Sequence, residues 1–469
     1  MQPSAAPAAS PAPGERWQEV LDNIPALEVL IETMSITAKF GGTSLADANQ
    51  IRKVADIIKS DPRRRHIVLS APGKRTSSDK KITDLLYLCH SLANQGLDIQ
   101  TAFGPIKQRF LGIAEELGVD EMAGWLAEVE LRIADGADVD WIASRGEYLN
   151  SRMVARFLGA TFIDAASAIR MAADGRLRAA ETYQLLAEAL TGDGLFVVPG
   201  FYGADPSGHI RCFSRGGSDI TGAIVARAAG DQVYENWTDV PGLLMADPRI
   251  VDNPRPIAEV TYREQRELSY MGATVLHDEA VFPVREAGIP INIRNTNDPS
   301  APGTRIVTTR DSSRHAVAGI AGRVGFSNVY TDKALMNAEL GYGRRMLEIL
   351  EKRGITFEHA PTSIDTMSVI VRDEEIAGKE DLVLGDIENQ LKPDRVEIDS
   401  DIALIATVGE GMSKKVGIAA RLFGALGKSG VNILMINQGA SEINIIVGVA
   451  ASDYEKAVRA IYGEFVKPA

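Results

Sequence analysis

An α/β fold with a largely parallel sheet, followed by two smaller ferredoxin-like units, is predicted for this chain of 469 residues. Three observations predict it. From Ser35 to about Thr308, short β-rich runs alternate with helical patterns, the signature of a layered α/β architecture. Within that part, a Gly-Gly turn twice separates a strand-like run from a helical pattern, at Gly41-Gly42 and at Gly216-Gly217. The remainder repeats itself: residues 352–357 realign with residues 428–433, and the strand-like runs 367–371 and 443–447 keep the same offset.

Length leaves room for about three domains. The composition is globular, 45% hydrophobic and 24% charged, and a net charge of −13 argues against nucleic acid or an anionic membrane as a general partner. An acidic protein can still hold a nucleotide through a few placed cations and Mg²⁺. Cys89 and Cys212 lie in different apolar segments and read as buried thiols in a reducing cytoplasm. No window approaches the apolar length of a membrane span. Residues 1–14 are rich in Ala, Pro and Ser and lack a secretory signal pattern. Residues 1–33 therefore read as a disordered or accessory extension, with a short amphipathic helix at 17–32, and the main fold starts at about Met34.

The first strand-like run is Ser35-Ile36-Thr37-Ala38, followed by Lys39-Phe40-Gly41-Gly42-Thr43-Ser44 and then by helical spacing at Ile51, Val54, Ile57 and Ile58. Strand, glycine turn and helix N-terminus together make an anion-binding layout, because glycines admit a phosphate close to the backbone and helical N–H groups point at it. Thr43 or Ser44 would cap that helix, and Lys39 adds a positive charge. An ordinary turn with a solvated lysine fits the same residues. Arg63-Arg64-Arg65 reads as a solvated loop before the strand Ile67-Val68-Leu69. Residues 72–83 form a long polar loop at a strand end, where open α/β sheets place ligands. Gly73-Lys74 is not a phosphate-binding Walker loop, since Val68 stands where its first glycine belongs.

Helical periodicity resumes at residues 122–131. Ser144-Arg145-Gly146-Glu147 then begins a helix running through Leu149, Met153 and Val154, where Glu147 either binds an amino group or serves as a favourable carboxylate at a helix start. Strands at Thr161-Phe162-Ile163 and Leu195-Phe196-Val197-Val198 follow. Ser214-Arg215-Gly216-Gly217-Ser218-Asp219 repeats the glycine-turn logic between the strand-like residues 210–213 and the helix from Ile220. Arg215 offers a fork suited to a carboxylate. Asp219 is either an N-cap or the group that organises Mg²⁺ or positions Lys39. The two turns taken together are more specific than either alone. Trp237-Thr238-Asp239-Val240-Pro241-Gly242 and Asp247-Pro248-Arg249 are polar and turn-rich, with Trp237 able to flank a base and Arg249 to reach phosphates, or both structural. Ile291-Asn292-Ile293 is the last strand-like run before a Pro/Gly/Ser-rich stretch at 298–304 and a polar linker at 308–314. Each C-terminal unit reads strand, helix, strand, strand, helix, a β-α-β-β-α-β pattern. Only Glu464-Phe465-Val466 is left for the last strand, unless the two units interleave.

This ordered set of motifs resembles the aspartate kinase family, with the three-layer α/β/α amino-acid kinase fold and two C-terminal ACT domains. The second repeat, with Asn432-Ile433 and Gln438-Gly439-Ala440-Ser441-Glu442-Ile443-Asn444, is similar to that family's C-terminal half. The resemblance implies a catalytic domain at 34–308, a first ACT domain at 316–397 and a second at 398–469. It further implies transfer of the ATP γ-phosphate to the side-chain carboxylate of L-aspartate, giving 4-phospho-L-aspartate for lysine, threonine and methionine biosynthesis in the cytoplasm. By that resemblance Lys39 and Asp219 are catalytic, and Thr83, Glu147, Arg215 and Ser218 hold the substrate. Lys39, Gly41, Gly42, Thr43, Ser44, Thr238, Asp239, Asp247 and Arg249 lie on the nucleotide side. Mg²⁺ would arrive on the ATP phosphates, with no direct protein ligand assigned. A carboxylate is already nucleophilic at neutral pH, so catalysis rests on positioning and on cancelling charge between two anions.

The tandem ACT repeats imply feedback by an amino acid, lysine, threonine or both. Implied effector contacts are Met336, Gly341, Tyr342, Gly343, Arg344, Arg345, Met346, Phe357, Glu358 and Ser363. Residues 417–421 and 432–438 would serve ACT–ACT contact in a homodimer or tetramer. Two departures stand out. Lysine-sensitive relatives carry a glutamate after the matching serine, where this chain has Ile364 and then Asp365. A nucleotide-contacting lysine of the family is replaced by Thr274 in Gly272-Ala273-Thr274-Val275-Leu276-His277-Asp278, and His277 reads as a packed or turn histidine. A kinase for another small amino acid, or an inactive amino-acid sensor, is the competing reading.

Overall fold

Parallel strands buried along nearly their whole length organise the first part of the chain. The computed structural model describes residues 35–466 apart from 215, 274, 275, 277, 314 and 414. The predicted extension and its helix, Met34, Arg215, Thr274 and His277 thus lie outside the described residues. Two compact units are present, Met1–Asp239 and Val240–Ala469.

The first unit runs β1 (Ile36–Phe40), α1 (Ala48–Lys59), β2 (Arg64–Leu69), α2 (Ile82–Asn94), α3 (Gln100–Leu117), α4 (Met122–Ala134), α5 (Val139–Leu158), β3 (Thr161–Phe162), α6 (Ala179–Ala189), β4 (Phe196–Pro199), β5 (Tyr202–Ala204), β6 (Ile210–Cys212), α7 (Gly217–Ala229) and β7 (Val233–Thr238). Its strands lie in the order β3-β4-β2-β1-β7, all parallel. All residues of β1 and β4 are buried, which is what covering both faces of a parallel sheet requires. Helix α5 packs on β2 and β4, and α7 on β1, β2 and β7.

Four sequence expectations shift here. Thr43 and Ser44 do not cap α1. Gly42–Leu45 forms a separate 3₁₀ turn, and Asp47 caps α1 by accepting from the Gln50 N–H at 2.9 Å. The Arg63–Arg65 cluster is not a solvated loop. Arg64 opens β2 with 6% exposure and pairs with buried Glu235, Nε to Oε2 at 2.6 Å. Helix α5 starts at Val139 rather than Ser144, so Glu147 sits in mid-helix and not at a helix start. Of the two cysteines, Cys89 is buried and Cys212 only half-buried; both are free thiols.

The second unit opens with β8 (Glu259–Thr261), α8 (Tyr262–Tyr270), α9 (Asp278–Ala287), β9 (Ile291–Asn295) and β10 (Thr304–Val307). β10 pairs in parallel with β8 and antiparallel with β9. Thr261 and Glu264 form a reciprocal capping box at the start of α8.

Then follow β11 (Gly319–Asp332), α10 (Tyr342–Lys352), β12 (Thr366–Arg372), α11 (Glu380–Leu391), β13 (Arg395–Val408), α12 (Ile418–Lys428), β14 (Met435–Asn437), β15 (Asn444–Ala450) and α13 (Tyr454–Phe465). Their five strands make an antiparallel sheet in the order β12-β11-β13-β15-β14. The repeat seen in the sequence is visible in its glycines. α10 and α12 each begin after a left-handed glycine, Gly341 at φ 77° and Gly417 at φ 88°. Each is followed by another, Gly354 at φ 66° and Gly430 at φ 64°.

Two hydrophobic cores flank this sheet region. One contains Val329, Met346, Ile349, Val369 and Ile387, the other Ile405, Leu422, Leu426, Val447 and Ile461. β11 and β13, 14 residues each, serve both. The first half of β11, from Gly319 to Val324, pairs with Val408 to Ala403 of β13, whose other neighbour there is β15. The second half of β11 pairs with β12. Glu464 and Phe465 accordingly form no strand. They continue α13, whose Ala457, Val458 and Ile461 are buried at helical spacing, and β11 supplies the strand instead.

Candidate active site

The C-terminal ends of β1, β2, β4 and β7 lie side by side, and Lys39, Gly41, Gly42, Glu147, Ser218 and Asp219 gather there. Lys39 is the fourth residue of β1 and only 7% exposed. Its Nζ lies 2.6 Å from Oδ1 of Asp219, in the first turn of α7. The same carboxylate oxygen accepts from Asn236 Nδ2 of β7 at 2.8 Å, while the Tyr234 hydroxyl donates to the Asp219 carbonyl at 3.1 Å. Asp219 is thus no N-cap. Gly216, at φ 75°, occupies that place, and Asp219 is held from two sides as the partner of Lys39.

Backbone is packed on backbone around this pair. The Gly41 N–H donates to the Trp237 carbonyl at 3.1 Å, and the Gly73 N–H to the Gly42 carbonyl at 2.7 Å. A Cβ on Gly73 would lie 2.4 Å from the Gly42 carbonyl carbon, so no side chain fits between the two loops. Gly200, after β4, meets α7 in the same way: a Cβ there would lie 2.5 Å from Ser218 Oγ. The glycines at these positions let three strand ends and one helix start converge.

Glu147 projects from α5 toward the loop after β2. It is 6% exposed, the Ala71 N–H binds it, and burial pushes its pKa up to about 7. Its Oε2 has no hydrogen-bond partner among the described residues. A buried carboxylate oxygen left open is costly unless a ligand donor completes it. Asn150, one helical turn on, donates to the Ser70 carbonyl at 2.7 Å and so fixes α5 to the same loop. Thr83 is in the first turn of α2 rather than in a loop, beside Ile82, whose Cγ2 would lie 3.3 Å from a Cβ on Gly146.

Other predicted residues are placed differently. Thr43 is exposed and Ser44 buried in the 3₁₀ turn, with the Ser44 N–H donating to the Gly41 carbonyl at 3.1 Å. Thr238 ends β7, and its hydroxyl bonds Asp239 at 3.2 Å. Trp237 cannot flank a base: it is fully buried, stacked on Phe40 at 5.8 Å, with its Nε1–H on Glu235. Asp247 and Arg249 belong to the second unit, where they pair with each other at 2.6 Å and the arginine side chain is exposed.

Among the predicted effector contacts, Met346 is a core residue, and Met336 and Tyr342 are buried in the same cluster. The Tyr342 hydroxyl has no hydrogen-bond partner among the described residues, and Lys333 Nζ lies 5.5 Å from its ring. Arg344 pairs with Glu348 and Arg345 with Glu339. Gly341 and Gly343 flank Tyr342 half-buried, Phe357 and Ser363 are exposed, and Glu358 is tied to Arg372 at 2.6 Å and to the Tyr270 hydroxyl.

Sequence reasoning missed Asn236 and Gly200, and read Gly73 only as part of a polar loop and a rejected Walker pattern. Asn236 carried a signal: Glu235 and Asn236 are adjacent polar residues inside an otherwise apolar, buried strand. The two glycines act through close approach of distant loops, which local sequence does not display.

Residues 34–295 match the amino acid kinase family, and residues 405–465 match the ACT domain. Over 446 residues the chain is 42% identical to aspartokinase 3 of Bacillus subtilis, covering 91% of this chain and 98% of that protein. It is similar to the crystal structure of Clostridium acetobutylicum aspartate kinase, described as an allosteric enzyme, with 50% identity and a TM-score of 0.89 over 92% of this chain and 100% of that one. Escherichia coli aspartokinase III, crystallised with lysine and aspartate, is similar over the same shares at 26% identity and a TM-score of 0.72.

Proposed function

This chain belongs to the amino acid kinase family, among its aspartokinases, and on that premise we propose how its own residues carry the transfer of the ATP γ-phosphate to the side-chain carboxylate of L-aspartate. The observation that carries the reading is the Lys39–Asp219 pair at the glycine turn, together with the open Oε2 of Glu147 on the adjoining loop. Glu147 takes the substrate ammonium, and Ser218 and Thr83 orient the substrate. Arg215, outside the described residues, is assigned to a substrate carboxylate by motif alone. Lys39 places its charge between nucleophile and phosphoryl group, and the Gly41 and Gly42 backbone lies along the phosphates. Two anions must approach each other, so cancelling their charge and fixing their geometry is the main task of the protein.

A kinase that uses ATP works with a divalent cation, for which we propose Mg²⁺. No group of three or more His, Cys, Asp or Glu residues that could hold a metal ion is found among the described residues. The Asp219 carboxylate beside Lys39 offers one protein neighbour to a cation carried by the ATP phosphates, where that cation would neutralise phosphate charge. We further propose that the catalytic part extends over 34–308, with two interleaved ACT domains after it that take lysine, with or without threonine, in a homo-oligomer. The free thiols of Cys89 and Cys212 fit a reducing cytoplasm.

The test is release of ADP from Mg-ATP with L-aspartate, against L-glutamate, acetylglutamate and UMP. Turnover is expected with aspartate, and Lys39→Ala should lower kcat by about 100-fold or more. Turnover with one of the other acceptors and none with aspartate would overturn the substrate assignment. Wild-type turnover no higher than that of Lys39→Ala would instead favour an inactive sensor.

A further inference from the structure

We propose that Arg109 is a positioning residue for phosphoryl transfer, whose guanidinium locks the Gly41-Gly42 turn and the loop after β2 into one register. The inference rests on the reading that this turn lies along the transferred phosphate. Arg109 comes from the middle of α3 and is 9% exposed. Its Nε and Nη2 donate to the Ala46 carbonyl at 3.2 and 2.9 Å, just past the 3₁₀ turn. Nη2 also donates to the Gly73 carbonyl, and Nη1 to Asp79 Oδ2 at 3.0 Å. One side chain thus takes an acceptor from each of the two loops that meet at Gly42 and Gly73.

Asp79 is held in turn by Arg75, whose Nε and Nη2 donate at 2.8 and 3.0 Å and whose backbone N–H donates at 2.9 Å. The guanidinium therefore sits on a carboxylate that already has a fixed place, three residues before α2 and four before Thr83. Gly73 and Gly42 touch with no room for a side chain, so a shift of either loop must shift the other. A planar fork can reach three acceptors at once, which a lysine ammonium on a flexible stem does not reproduce. A cavity of about 480 Å³ borders the group, lined by Asp47, Arg75, Asp79, Lys80, Gln108 and Arg109 among others. Shortening the side chain admits water to the freed carbonyls rather than leaving a dry void, so the fold tolerates Arg109→Lys.

The experiment compares wild type, Arg109→Lys and Asp79→Asn in the full chain by steady-state kinetics, varying Mg-ATP and aspartate separately, with thermal unfolding of each. Misplacing a reacting group by about 1 Å costs about 100-fold in rate. The expected result for Arg109→Lys is kcat lowered about 10- to 100-fold with the aspartate KM within about twofold of wild type, the unfolding temperature being nearly unchanged. Asp79→Asn, which loosens only one hand of the clamp, should show a smaller loss of kcat in the same pattern. Wild-type kcat in folded Arg109→Lys overturns the proposal, as does a loss that merely follows the unfolded fraction. Full activity of Lys39→Ala would instead overturn the site reading beneath it.

Discussion

Burial of the Glu147 carboxyl, which moves its pKa from an ordinary 4.5 to about 7, has two measurable consequences. The folded state holds this proton more tightly than the unfolded state. Its contribution is therefore complete below about pH 4.5 and is lost as pH rises through about 7, costing the ligand-free protein about 3 kcal/mol. Binding of a substrate ammonium needs the ionised form, so KM for aspartate should rise as pH falls below about 7. Glu147→Gln should raise the unfolding temperature at pH 8 while the variant loses saturation by aspartate, both read on one purified sample. A KM for aspartate that is flat from pH 6 to 8 would remove Glu147 from the substrate site. At this scale the sequence was partly legible. Lys39, Glu147 and Asp219 are recognisable because each stands in a motif with glycines of restricted purpose. Arg64 was misread because its partner, Glu235, lies far along the chain, and no local pattern announces a buried ion pair.

Strands and helices whose apolar residues repeat over several turns were legible, as at α1 and α4. Starts were not. α5 begins before its motif, and a 3₁₀ turn separates the glycine turn from α1, because capping by Asp47 and packing on the sheet decide those ends. The meeting of loops is equally invisible locally, although it predicts a contrast between two glycines. Gly73→Ala puts a Cβ 2.4 Å from backbone and should cost about 1–3 kcal/mol of stability together with most of the activity. Gly112→Ala, in the interior of α3, meets nothing within 4 Å and should stabilise by about 0.5–1 kcal/mol with kcat intact. Denaturant unfolding and turnover of both variants check the pair. Equal behaviour would mean that the Gly42–Gly73 contact has no mechanical importance.

For the whole molecule, the order of an α/β part and two repeats was readable from periodicity, whereas the source of the last strand was not. Regulation belongs to this scale. L-Lysine, with or without L-threonine, should lower the rate or weaken substrate saturation, measured by titrating each against turnover. If neither changes either quantity, the regulatory assignment fails. The sharing of β11 and β13 between two cores bears on how the chain reaches this state during synthesis. The segment from Gly319 to Val324 leaves the ribosome first, yet its partner from Ala403 to Val408 emerges only after the intervening helices and β12 have been made. Until then it is an unpaired edge that can recruit the wrong strand, including one from a neighbouring nascent chain. The second core must therefore close late, and a slowed elongation or a truncated product should reveal this edge as the place where misassembly starts.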